Sequence, residues 1–141
     1  MSYCTIANIT DRIGEAALIT LTDDEGTGDV VDALVTAAIA AAAATIDAYC
    51  QGRYTVPLAT VPAKVAELCQ DIAVYELYSR SDLVMPEVRK DRYNAAIRFL
   101  EKVAAGTIAL GAATPAPADT NNSVDFDSNR RIFNRDKLRN F

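Results

Sequence analysis

The sequence predicts an all-α fold: a small helical bundle of three main helices, about 29–52, 62–78 and 86–105, with short N-terminal helices before them and an extended C-terminal tail. Three observations carry this. Apolar residues recur every three or four positions in each of those stretches, as a helix with one buried face requires. Pro62 and Pro86 stand where a first helical turn tolerates proline, and Gly52 and Gly106 stand where a helix stops. Half of the 141 residues are apolar, enough for one domain with a single core and no need of metal or disulfide staples.

Taken in order, Thr5 caps a first helix through Ile6, Ile9 and Ile13 that Gly14 ends, and Glu15–Thr20 adds one or two turns carrying Ala17, Leu18 and Leu21. Tyr3 is placed to anchor the segment ahead of them. The long helix, 29–52, is expected to start at Gly28 or Asp29 and to bury Val31, Leu34, Val35, Ala38, Ala42, Ile46 and Tyr49. About 23 residues at roughly 1.5 Å each make a rod of about 35 Å. Its alanine-rich middle buries little area per residue and lets another backbone approach, so Ala40, Ala41 and Ala44 are assigned to contact with a further helix, in the same chain or the next. Then QGRYTVPLATVP, 51–62, turns an extended corner, because a residue before proline is pushed out of helical geometry. Helix 62–78 is a core helix through Val65, Leu68, Cys69, Ile72, Tyr75 and Leu77. A polar turn, 80–86, leads into helix 86–105, with Tyr93, Ala96, Ile97, Leu100, Val103 and Ala104 inward.

From residue 107 the composition changes. The division expected is a helical domain at 1–110, a flexible linker at 111–127 and a docking tail at 128–141. The net charge of −5 splits between −9 on residues 1–127 and +4 on 128–141. Ile132, Phe133, Leu138 and Phe141 alternate with Arg130, Arg131, Arg135, Lys137 and Arg139 in that tail, which either folds back on its own domain, docks in a neighbour's groove, or meets nucleic acid.

Candidate chemistry is sparse. There is no histidine, which removes the commonest acid-base group and metal ligand, so no enzymatic activity and no cofactor are expected. Cys4, Cys50 and Cys69 are odd in number and widely spaced, as reduced thiols are. A thiol hydrolase at Cys50 or Cys69, or a carboxylate site at Asp47 and Glu67, ranks third among the readings for want of any activating partner. The turn DDEGTGD offers oxygens at Asp23, Glu25, Thr27 and Asp29, with glycine sixth as in a calcium loop. Leu34 stands twelfth, where that loop needs a glutamate, so the turn is a weak metal candidate and a helix-capping turn is preferred. Arg53 reads as a helix-end cation, and Arg89, Lys90 and Arg92, interleaved with Glu87 and Asp91, as a solvated face. No basic stretch precedes an apolar core at the N-terminus, and the apolar run 37–44 is short, so neither a signal peptide nor a membrane span is expected.

YCT at the start, ITLTDD with its acidic turn, IDAYCQGRYTVPLATVP, LCQDIAVYELY, YNAAIRFLEKVAAG and NRRIFNRDKLRNF together resemble the Mu-like prophage protein family of phage head-tail modules. The resemblance spans essentially the whole chain, with GRYTVPLATVP (52–62) and FNRDKLRNF (133–141) its most specific parts. In layout the chain is also similar to head-completion or connector proteins. The resemblance implies a virion adaptor at the head-tail junction, present in the host cytoplasm during assembly. It would bind the portal and a neighbouring tail or neck protein, assemble as a ring, and continue the channel through which DNA passes. It carries no catalytic residues, and Thr27 departs from the more calcium-like members of the family. It assigns assembly roles to Arg53, Tyr54, Val56 and Pro57 in the corner and, with Arg131, to Phe133, Arg135, Leu138 and Phe141 in the tail. The alternative is a non-enzymatic helical binding protein, a DNA-packaging or regulatory accessory using its basic tail on nucleic acid.

Overall fold

The computed structural model describes residues 2–111; the tail and all of the linker but its first residue lie outside the described residues. Within them the chain is all-α, with five helices in the order α1 (Ile6–Ile13), α2 (Glu15–Thr22), α3 (Asp32–Cys50), α4 (Ala63–Arg80) and α5 (Glu87–Ala104).

Helix α1 opens on a reciprocal cap. The Thr5 hydroxyl accepts from the Asn8 amide at 3.4 Å while the Asn8 side chain accepts from the Thr5 amide at 2.9 Å, so two otherwise unpaired donors are satisfied. Helix α2 ends on Thr22, fully buried, whose hydroxyl donates to the Leu18 carbonyl at 2.9 Å and accepts the Val31 amide at 3.2 Å. That one side chain ties the end of α2 to the start of α3.

Helix α3 is shorter than its apolar pattern predicts. It starts at Asp32 rather than at Gly28 or Asp29, because Val31 is held extended by Thr22 and has no capping side chain. Nineteen residues give about 28 Å. The later start also moves the buried face. Val35, Ala38, Ile39, Ala42, Ala43, Ile46 and Cys50 point inward, whereas Leu34 is half-buried and Val31, outside the helix, is 37% exposed. The mean hydropathy of α3, 1.6, would suit a membrane span by composition alone. Here much of that value comes from alanine, and the larger apolar side chains pack against the rest of the bundle.

Pro62 and Pro86 each occupy the position just before their helix rather than its first turn. Helix α4 lies between its neighbours and buries Val65, Leu68, Cys69, Ile72, Ala73, Val74 and Leu77. It contacts α3 and α5 as well as α1 and α2, which makes it the centre of the bundle. Helix α5 contributes Ala96, Leu100 and Val103, with Tyr93 stacked on Tyr75 at 3.8 Å between ring centroids; Ala104, expected inward, is exposed. The three long helices alternate in direction. The start of α3, the end of α4 and the start of α5 therefore share one end of the bundle, where the Arg80 guanidinium donates to the Leu21 carbonyl at 2.9 Å and pairs with Asp24. The opposite end gathers the corner after α3 and the exit from α5, where Arg53 lies against Gly106.

Candidate functional site

The acidic turn is organised by Asp23. One of its carboxylate oxygens accepts the Thr27 amide at 2.9 Å and the Thr27 hydroxyl at 3.1 Å, and the other accepts the Gly28 amide at 2.6 Å. These bonds, with Gly28 foremost, hold the Asp23 carboxyl below its ordinary range. Gly28 has φ +82°, a conformation that side chains disfavour, so the tight return of the chain depends on it. The sequence's weak metal candidates thus take different roles: Asp23 and Thr27 close the turn on themselves, while Glu25 and Asp29 are exposed. Asp29 does not cap α3.

The corner GRYTVPLATVP is fixed from inside by two tyrosine hydroxyls. Tyr3 donates to Asp47 on α3 and accepts the buried Leu58 amide at 3.0 Å, joining the N-terminal segment, the long helix and the corner. Burial and the Asp47 carboxylate push the Tyr3 hydroxyl up to about 12. Tyr54, also buried, accepts the Leu110 amide at 2.9 Å and so pins the chain where it leaves the bundle. Of the four corner residues assigned to assembly, Arg53 and Pro57 are exposed, Val56 is half-buried behind a cis Val56–Pro57 bond, and Tyr54 is in the core with internal contacts. The other five, Arg131, Phe133, Arg135, Leu138 and Phe141, lie outside the described residues.

The thiols face the core. Cys4 and Cys69 share a hydrogen bond of 3.3 Å between sulfurs, and that bond together with burial raises the Cys69 thiol well above its ordinary value; burial and Asp47 raise the Cys50 thiol. Among the described residues no base stands beside any of them. Asp47 and Glu67 are engaged separately, Asp47 with Tyr3 and Glu67 with Lys64 at 2.8 Å. Glu67 lines a groove of about 540 Å³ between α1, α4 and α5. There Asp71 accepts from Arg12 at 2.5 and 3.1 Å, with Arg92 at 3.8 Å. The basic cluster of α5 is likewise engaged locally: Arg89 reaches the Arg12 carbonyl at 3.5 Å and Lys90 approaches Glu87 at 3.5 Å.

Two outer surfaces remain. Ala33, Ala37, Ala40, Ala41, Ala44 and Ala48 form one exposed face along α3, uncovered by any described helix. Of the two partners the alanine pattern allows, a helix of the same chain is therefore not found among the described residues. The second surface was missed in the sequence, where 80–86 reads as a polar turn. Val84 is 92% exposed, Val88 60% and Leu83 44%. The signal was present in LVMPEV, 83–88, an apolar run that crosses from the loop into the first turn of α5 and that no helical phase buries.

The profile of the family described as Bacteriophage Mu, Gp36 matches residues 3–128, taking in every described helix and the corner but stopping short of FNRDKLRNF. A Mu-like prophage FluMu protein gp36 of Haemophilus influenzae is 37% identical over 111 residues, covering 78% of this chain and 77% of the relative. Gene product J of Escherichia phage Mu is 28% identical over 138 residues, 96% of each chain. Nearly the whole bundle is thus shared with proteins of phage and prophage, and the chain belongs to the Bacteriophage Mu Gp36 family.

Proposed function

We propose that the chain is a structural subunit of the head-tail module, a connector or head-completion adaptor that assembles as a ring on the portal protein and continues the DNA channel. The observation that carries this is the exposed alanine face of α3. Side chains this small let a second helix approach closely, and a helix that already buries its opposite face gains most from a partner on this one. The exposed corner residues Arg53 and Pro57 offer a second contact at the end of the same helix. Nothing in the described core favours catalysis: the thiols are buried without a base, and the carboxylates are engaged by tyrosine, lysine or arginine.

Electron microscopy of the protein mixed with its portal and first tail protein tests the reading. Ring-shaped density of this chain between the two is expected. Substituting Ala40→Glu and Ala44→Glu, both exposed, should abolish the ring while leaving helicity intact. Salt-dependent DNA binding that is lost on deleting 128–141, with no association to the portal, would replace the adaptor by the nucleic-acid accessory.

A further inference from the structure

The domain's acidity is not spread evenly over its body. Residues 2–111 carry 15 acids and nine bases, and seven of those acids fall in 22–32 and 80–90, the two segments that meet at one end of the bundle, against the three bases Arg80, Arg89 and Lys90. The rest of the domain carries eight acids and six bases, so −4 of the net charge of −6 belongs to that end. The same end presents the exposed apolar side chains Val31, Leu83, Val84 and Val88. A surface with exposed valines set among carboxylates that outnumber the nearby cations fits a segment that alternates apolar anchors with cations.

The chain itself contains such a segment. Residues 128–141 carry five bases and one acid, interleaved with Ile132, Phe133, Leu138 and Phe141. We propose that the acidic, apolar end of the bundle is the docking site for residues 128–141 of a second copy. The tail departs far from this site. Tyr54 pins Leu110 at the opposite end, about 28 Å away along α3. The 17 residues 111–127 can extend to about 56 Å and so also reach back along the same bundle. The second copy is favoured because the proposed ring holds subunits side by side, and a neighbour set head to tail presents its acidic end directly. Such a contact joins two different surfaces and so repeats from copy to copy, closing into a ring when the rotation allows. Its purpose rests on the reading of the chain as a ring-forming subunit, and it assigns the tail to the neighbouring copy rather than to the portal.

The test uses the full chain with a photo-reactive benzoyl-phenylalanine in place of Phe133, prepared as a mixture of ¹⁴N- and ¹⁵N-labelled protein, and irradiated alone and with the portal. Mixed-isotope cross-links mapping to 22–32 and 80–90 are expected. Val84→Asp, at a position too exposed to matter to the core, should lower their yield several-fold, as should Arg131→Glu with Arg135→Glu. Cross-links within one isotope only, cross-links to other surfaces or to the portal alone, a yield indifferent to Val84→Asp, or no cross-link at either segment would each overturn the contact. Rings of the Val84→Asp protein forming on the portal as readily as wild type would overturn it too, while leaving the adaptor reading in place. Wild-type protein that never associates with the portal would sink the adaptor reading, and the isotope-mixed cross-link would still decide the contact.

Discussion

Replacing Tyr3 by Phe removes one oxygen and two hydrogen bonds. The Leu58 amide loses its acceptor in a place where Leu58 is 2% exposed, so water does not substitute for it; a buried donor left unpaired costs about 1–3 kcal/mol. Asp47, half-buried, regains water and loses less. A net loss of about 2 kcal/mol is expected at neutral pH, which for a domain of this size lowers Tm by roughly 8–10 °C. The pH dependence separates this bond from a packing effect. Tyr3 is raised from 10 to about 12, so its neutral form is favoured in the folded protein. Its contribution is fully present below pH 10, where the hydroxyl is neutral in both states, and is lost as pH rises through about 12. The two units correspond to about 2.7 kcal/mol. The gap between wild type and Tyr3→Phe, measured by urea unfolding under reducing conditions, should therefore shrink between pH 9 and 12 while other tyrosines cancel in the difference. A gap below about 0.5 kcal/mol at pH 7, or one constant across that range, would refute the argument.

Asp71→Ala should cost about 2 kcal/mol in the same assay, because its carboxylate, 10% exposed, holds Arg12 through two bonds; an Arg12→Ala, Asp71→Ala cycle should show the two to be coupled. Gly106→Ala should cost about 1–2 kcal/mol, since Gly106 has φ +80° and a Cβ there would displace the Arg53 guanidinium. Adding Arg53→Ala should recover little of that loss if backbone conformation is the cause. For Asp23→Ala, faster hydrogen exchange at the Thr27 and Gly28 amides is expected. In the wild type the depressed carboxyl predicts the same loss of protection, relative to the intrinsic exchange rate at each pH, as pH falls below 3.8 through its folded pKa, with the turn intact above that range.

By itself the sequence determined the helical class, the number of helices and most of their limits, because these follow from local periodicity, proline and glycine placement and the Thr5 cap. It also marked the corner as distinctive and separated a basic, aromatic tail from the rest. What it left to the tertiary structure were choices made by partners distant in the chain. Thr22 takes the Val31 amide and thereby delays α3 and turns its face, which no periodicity within α3 reveals. Tyr54 looks like a free aromatic in an exposed corner until Leu110, 56 residues on, proves to be its partner. The acidic turn and the LVMPEV segment lie far apart in sequence, and nothing there pairs them. Only the antiparallel course of α3 and α4, locked by Arg80 on Leu21 and Asp24, brings them to the same end, where their charges add and their valines stand uncovered.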